Sequence, residues 1–120
     1  MKHLFLVGMG GFLGSILRYG VSIAFTKYFA EKFYLGTLTV NLLGSLMIGM
    51  LFAHFTKQNP TYTFLVAGFC GGFTTFSAFS LDGLKLIRQN LYLDFLAYSS
   101  VSLIGGLLFC FIGFYLFQKL

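Results

Sequence analysis

The chain has 120 residues, 58% hydrophobic and only 9% charged, and carries a formal net charge of +5. Apolar runs this long and this numerous exceed the needs of one soluble core, so a soluble enzyme or nucleic-acid-binding domain is excluded. The basic excess is instead a topology signal at membrane surfaces. The runs are continuous rather than alternating over segments of about ten residues, which excludes a transmembrane β-barrel.

A helix crosses a bilayer in about 20 apolar residues. The sequence accordingly predicts four spans near 4–26, 36–55, 61–84 and 94–117, forming a single membrane domain over 1–120. The expected fold class is all-α integral membrane, with four transmembrane helices and a break in the third. The first segment runs past Arg18 without a short apolar core or a small-residue cleavage site, so it reads as a retained span rather than a signal peptide. Cys70 and Cys110 both fall inside apolar segments, where a thiol packs as a small hydrophobe, and they indicate neither a disulfide framework nor a metal site.

Span one places Gly11, Gly14, Ser15, Arg18 and Ser22 on one helical face and contains Gly10-x-x-x-Gly14, a spacing that lets helices approach closely. Arg18 must snorkel, pair or face water. It either reaches the headgroups or draws anions into a vestibule. The connection from Lys27 to Tyr34 is amphipathic and interfacial. With no Trp in the chain, Tyr28, Tyr34, Tyr62 and Tyr92 are the expected aromatic belt.

Span two carries Thr37, Asn41, Gly44, Ser45 and Ile48 on one stripe. The Asn41 amide needs partners in lipid, either a neighbouring helix or an ion. The connection 56–61 holds the only proline, Pro60, and its brevity makes spans two and three antiparallel neighbours. His54, just before it, reads as an interfacial side chain.

The third span is the unusual one. From Gly68 to Ser80 it reads Gly-Phe-Cys-Gly-Gly-Phe-Thr-Thr-Phe-Ser-Ala-Phe-Ser, where an ordinary span carries Leu, Val and Ile. Glycine holds a helix poorly and Thr hydroxyls bond backbone carbonyls, so unwinding over Gly71 to Thr75 is expected. Irregular backbone at this depth belongs in a protein interior or beside a wet cavity, which marks a candidate ion site. Phe76 and Phe79 share a face of the following half-helix, either as simple packing or with ring edges turned toward an anion. Asp82 and Lys85 are spaced for a local ion pair. Span four sets Tyr98 and Ser102 at i and i+4, either lining one groove or tying helices together, and Ser102-x-x-x-Gly106-x-x-x-Cys110 forms a close-packing ridge.

No enzyme chemistry emerges from these residues. The three acids, Glu31, Asp82 and Asp94, lie near span ends, with no carboxylate pair, metal-ligand cluster or phosphate loop. What remains are neutral donors, Asn41, Thr74, Thr75, Ser77, Ser80, Tyr98 and Ser102, beside Phe edges and one Arg. Those are parts for an anion path. The basic residues divide almost evenly, with Lys2, Lys57 and Lys119 on one face and Lys27, Lys32, Lys85 and Arg88 on the other. So small an excess hardly selects an orientation, and a chain that inserts both ways can form an antiparallel dimer.

Three segments resemble the CrcB/Fluc fluoride channels: Gly10-Gly11-x-x-Gly14-x-x-x-Arg18-Tyr19, Gly36-Thr37-x-x-Val40-Asn41-x-x-Gly44-Ser45, and the stretch from Gly68 to Ser80. The resemblance covers all four spans in the family's order. It implies a dual-topology homodimer in the plasma membrane, a bacterial inner membrane, passing fluoride through two pathways around a central structural Na⁺. It further implies that Asn41 is the pore amide, and that Phe76 and Phe79 contact the anion. Ser77, Tyr98 and Ser102 would contribute to a polar track, Arg18 would sit near a vestibule, and the carbonyls of Gly71 and Thr74 would hold the Na⁺. Ser15 stands where Ala is common, Phe73 where a smaller aliphatic residue is common, and Ala78 where Thr is frequent, which removes a hydroxyl beside the phenylalanines. A small multidrug transporter also has four spans, but needs an embedded Glu in the first, which here carries Arg18 and no acid. A purely structural membrane subunit accounts for the packing ridges and not for the polar break.

Overall fold

Four helical stretches long and apolar enough to cross a bilayer occupy Lys2–Tyr28, Leu35–His54, Pro60–Arg88 and Tyr92–Gln118 in a computed structural model that describes residues 1–118. The protein is therefore a multi-pass membrane protein. The first two are α1 (Lys2–Tyr28) and α2 (Leu35–His54). The third comprises α3 (residues 60–73) and α4 (Phe76–Arg88), and the fourth is α5 (Tyr92–Gln118). Lys119, counted above among the basic residues, lies outside the described residues.

Local chemistry fixes the helix ends. Asn59 Oδ1 accepts the Thr61 N–H at 2.8 Å, and Pro60 follows at the first helical position, where its missing N–H costs nothing. At the far end of α4, Asn90 adopts a left-handed φ of 60°. Its N–H bonds the Ile87 carbonyl while the Leu91 N–H bonds that of Leu86, so the released carbonyls are satisfied and the chain turns directly into α5. His3 Nδ1 and Thr63 Oγ1 lie 2.9 Å apart and tie the start of α1 to α3.

Glycine decides how closely the helices meet. α1 and α3 run parallel in near backbone contact: a Cβ on Gly14 would strike the Phe69 carbonyl, and one on Gly72 would lie 2.5 Å from the Gly11 carbonyl. The Gly10-x-x-x-Gly14 face is thus a packing face, as its spacing indicates. α2 and α5 form a second parallel pair, in which Gly49 faces the Cys110 carbonyl and Gly113 faces that of Leu46. Two stretches widen into π-helical turns, Thr63–Cys70 in α3 and Val101–Gly105 in α5, which the apolar periodicity does not predict.

The best-buried apolar cluster is Tyr34, Leu86 and Tyr98, with Phe79 and Phe95 packed against it. Tyr34 is not part of an aromatic belt. It is buried, its ring lies 5.0 Å from that of Tyr98, and its hydroxyl donates to Asp94 Oδ2. Burial, then the nearby Asp94 carboxylate, pushes the Tyr34 phenol above its ordinary range, so it stays a donor. The expected Asp82–Lys85 ion pair is also replaced. Asp82 is buried and accepts the Tyr98 hydroxyl at 3.2 Å, while Lys85 Nζ stands 5.6 Å from the centre of the Phe33 ring.

Candidate functional site: the interruption between α3 and α4

Helical geometry stops at two residues. Thr74 (φ −90°, ψ 155°) and Thr75 (φ −155°, ψ 121°) are extended. The five-residue unwinding expected over Gly71 to Thr75 is therefore too long, because Gly71–Phe73 stay helical, with Gly72 and Phe73 held under the backbone of α1. The interruption changes the chain's neighbours: α3 lies along α1, whereas α4 packs against the beginning of α5, where Gly83 meets the Phe95 ring.

Asn41 holds the extended segment. Its Oδ1 accepts the Thr75 N–H at 2.7 Å and its Nδ2 donates to the Thr75 carbonyl at 3.0 Å, a two-bond clamp of the kind a β-strand neighbour would make. One Nδ2–H is left over. Thr75 in turn caps α4, its Oγ1 accepting the Ala78 N–H at 3.1 Å. The Thr74 N–H and Oγ1–H both go to the Cys70 carbonyl at 2.9 Å, and its Cγ2 methyl fills the space left by Gly44.

These bonds release carbonyls. In an unbroken helix the Thr75 N–H would bond the Gly71 carbonyl and the Ala78 N–H that of Thr74. Here the first goes to Asn41 and the second to the Thr75 hydroxyl. The Phe76 N–H would serve Gly72, whose carbonyl instead accepts from Arg18 Nε at 3.0 Å.

Beside the interruption lies an open groove of about 250 Å³, lined by Asn41, Ser45, Thr74, Thr75, Phe76, Phe79 and Ser102 together with Ile48 and Leu103. No charged side chain lines it. The rings of Phe76 and Phe79 are 5.6 Å apart and tilted by 38°; Phe79 also packs on Tyr98 at 5.1 Å, whereas Phe76 is 78% exposed. Ser102 Oγ is buried without a hydrogen-bond partner. Thr75 Oγ1 and Ser77 Oγ are 3.1 Å apart and share one proton, leaving one hydroxyl of the pair free to donate elsewhere.

Of the residues singled out in the sequence, the groove brings together Asn41, Thr74, Thr75, Phe76, Phe79 and Ser102. Ser77 touches it only through Thr75. Tyr98 is behind Phe79 with its hydroxyl turned to Asp82, so the pair Tyr98 and Ser102 does not line one groove. Arg18 bonds the back of α3, and Gly71 is exposed on the face away from α1. Ser45 also belongs to the lining, one helical turn on from Asn41; the sequence placed it on the Asn41 stripe and in the second resembling segment without giving it a role.

The family model for "CrcB-like protein, Camphor Resistance (CrcB)" matches residues 5–114. The chain belongs to this CrcB-like family. Relatives named fluoride-specific ion channel FluC are similar over nearly the whole chain. One from Leptospira interrogans is 41% identical, covering 98% of this chain and 96% of the relative. Another from Flavobacterium psychrophilum is 38% identical with 100% of both covered, and one from Gloeothece citriformis is 42% identical with 99% of both covered. The CrcB-like match thus takes in nearly all of α1, all of α2 to α4 and most of α5, including every groove residue.

Proposed function

We propose that this protein is a passive, selective fluoride channel that releases fluoride from the cytoplasm across the plasma membrane, working as an antiparallel homodimer with two anion pathways. The observation that carries the reading is the groove: neutral donors and aromatic edges, no carboxylate, and a backbone break pinned open beside it. A small, strongly hydrated anion needs its water replaced by hydrogen-bond donors as it enters protein. The spare Nδ2–H of Asn41, the unpartnered hydroxyl of Ser102 and the free proton of the Thr75–Ser77 pair are donors of that kind. The positive edges of Phe76 and Phe79 extend the path past the last hydroxyl.

In this reading the groove is a wet entrance rather than the constriction, since its volume leaves room for several waters. A second copy supplies the missing wall, which fits the exposure of Phe76. HF crosses membranes as a neutral acid and dissociates in a more neutral cytoplasm, trapping the anion. The negative interior potential then drives fluoride outward without ATP or a coupling ion.

The implied Na⁺ fits the chemistry of the released carbonyls. Gly71 and Thr74 have both lost their regular helical partners and offer hard, neutral oxygens suited to a monovalent cation. Gly71 is exposed, as a residue shared across a two-fold axis requires. The same pair from a second copy would bring the available carbonyl oxygens to four, and an ion held by them would tie the two interruptions together.

The test is release of fluoride from liposomes loaded with KF, followed with a fluoride electrode after valinomycin lets K⁺ balance charge. Rapid fluoride release with no chloride release from matched vesicles is the expected result. Absence of release from a folded dimer in Na⁺ buffer would overturn the channel assignment.

A further inference from the structure

We infer that Arg18 is a positioning residue for the interruption, acting through the Gly72 carbonyl as a hydrogen-bond donor rather than through its charge as an attractor of anions. The inference rests on the groove being the fluoride path. Four carbonyls lose their regular helical partners at the break, those of Gly71, Gly72, Phe73 and Thr74, and of these the Gly72 carbonyl is taken by a side chain. The donor is the Arg18 Nε–H at 3.0 Å, from a half-buried side chain.

The geometry leading to that bond is built. Gly11 and Gly14, seven and four residues earlier on α1, bring its backbone against Gly72 and against Phe69 and Phe73. The next turn of α1 therefore passes the end of α3, and a side chain of Arg length reaches its open carbonyl. A donor there does two things. It satisfies a partly buried acceptor that would otherwise cost stability, and it holds the last turn of α3 so that Thr74 leaves the helix at a fixed place, beside Asn41 and Gly44. A guanidinium at a helix C-terminus is also favoured by the helix dipole. Asn41 from α2 and Arg18 from α1 thus hold the two sides of the break from opposite helices.

Because the bond is made by Nε and not by the terminal nitrogens, bonding and charge separate cleanly. In Arg18→Gln the amide nitrogen stands the same number of bonds from the backbone as Nε, so the donor survives and the charge is lost. Arg18→Lys keeps the charge but has a methylene at that position. Arg18→Met has neither. Fluoride efflux from liposomes is measured for all three beside the wild type, with dimer yield by gel filtration as the folding control. The expected result is loss of about tenfold or more in Met and Lys, the worth of one hydrogen bond to a partly buried acceptor, with Gln restoring most of the rate. High flux in Lys with loss in Gln would overturn the inference in favour of an anion-attracting charge, and equal flux in all three would overturn it outright. Failure of the wild type to conduct would instead count against the channel reading. As a second measurement independent of folding in the variants, the Arg18 Nε–H of ¹⁵N-labelled wild type is expected to exchange slowly with solvent. Rapid exchange would show that no persistent bond is made.

Discussion

Asn41 shows how one side chain serves two tasks that the sequence presents as alternatives. Its carbonyl oxygen and one amide proton clamp Thr75, and the other proton remains at the groove. Asn41→Asp keeps an acceptor for the Thr75 N–H but removes both amide protons and places a negative charge on the path. Fluoride efflux is expected to fall by about a hundredfold or more, equivalent to at least about 2.7 kcal/mol, with dimerisation retained. Normal efflux in that variant would reduce Asn41 to a structural clamp. Phe76 and Phe79 allow a sharper comparison, because one is exposed and the other packs on Tyr98. Phe76→Ile is expected to lower efflux about tenfold with little change in thermal stability, since the exposed Phe76 ring meets the Phe79 ring and lies outside the buried cluster of its own chain. Phe79→Ile should lower efflux as far and also destabilise by about 1 kcal/mol, through lost contact with the buried Tyr34–Leu86–Tyr98 cluster. Matching thermal shifts in the two variants would contradict that division of roles.

Among the elements, α1 and α3 set the frame in which the interruption stands. Gly14 cannot accept a methyl without pushing on the Phe69 carbonyl and the Phe73 amide, both backbone atoms that cannot rotate away, whereas Gly20 on the same helix has open space around it. Gly14→Ala is therefore expected to destabilise by about 1–3 kcal/mol. Gly20→Ala should be neutral or stabilising by about 0.5–1 kcal/mol, because alanine orders a helix better than glycine. Thermal unfolding in detergent measures the contrast, and equal shifts would mean that the close approach of α1 to α3 is not tight. The small-residue spacing that creates this contact is legible in sequence, as are four apolar spans and the group Asn41, Thr74, Thr75, Phe76, Phe79 and Ser102. Other features depend on tertiary position and leave little local trace. Asp82 looks paired with Lys85 at i+3, but the turn at Asn90 folds α5 back so that Tyr98 reaches the carboxylate first. The glycines suggest a longer unwinding than occurs, because Gly72 serves close packing on α1, Gly71 stays helical beside it, and the departure from helical geometry is left to the two threonines. The π turns have no periodicity of their own over five to eight residues.

At the scale of the whole molecule, the distribution of charge is as informative as the groove. Lys2 and Lys57 lie at one end of the bundle, while Lys27, Lys32, Lys85 and Arg88 lie at the other, with Lys119 beyond the described residues. Orientation follows an excess of Lys and Arg in short cytoplasmic connections, and an excess this small is expected to leave both orientations accessible. If the working unit is an antiparallel pair of identical chains, forcing every copy into one orientation should abolish it without touching the groove. Thr56→Lys and Gln58→Lys made together with Lys27→Gln and Lys32→Gln shift the basic residues, Lys119 included, to five against two in favour of the first end, and Lys2→Gln with Lys57→Gln shifts them to one against four. The first set should direct nearly all chains one way and the second set the other, read by accessibility of a cysteine introduced at the exposed Ala30 to an impermeant reagent. Each biased chain expressed alone is expected to lose at least about tenfold of its fluoride efflux, and co-expression of the two is expected to recover it, because together they again supply both orientations. Full efflux from a chain shown to insert one way only would mean that a parallel dimer or a single chain conducts, and the two-fold axis through Gly71 and Thr74 would have to be abandoned with it.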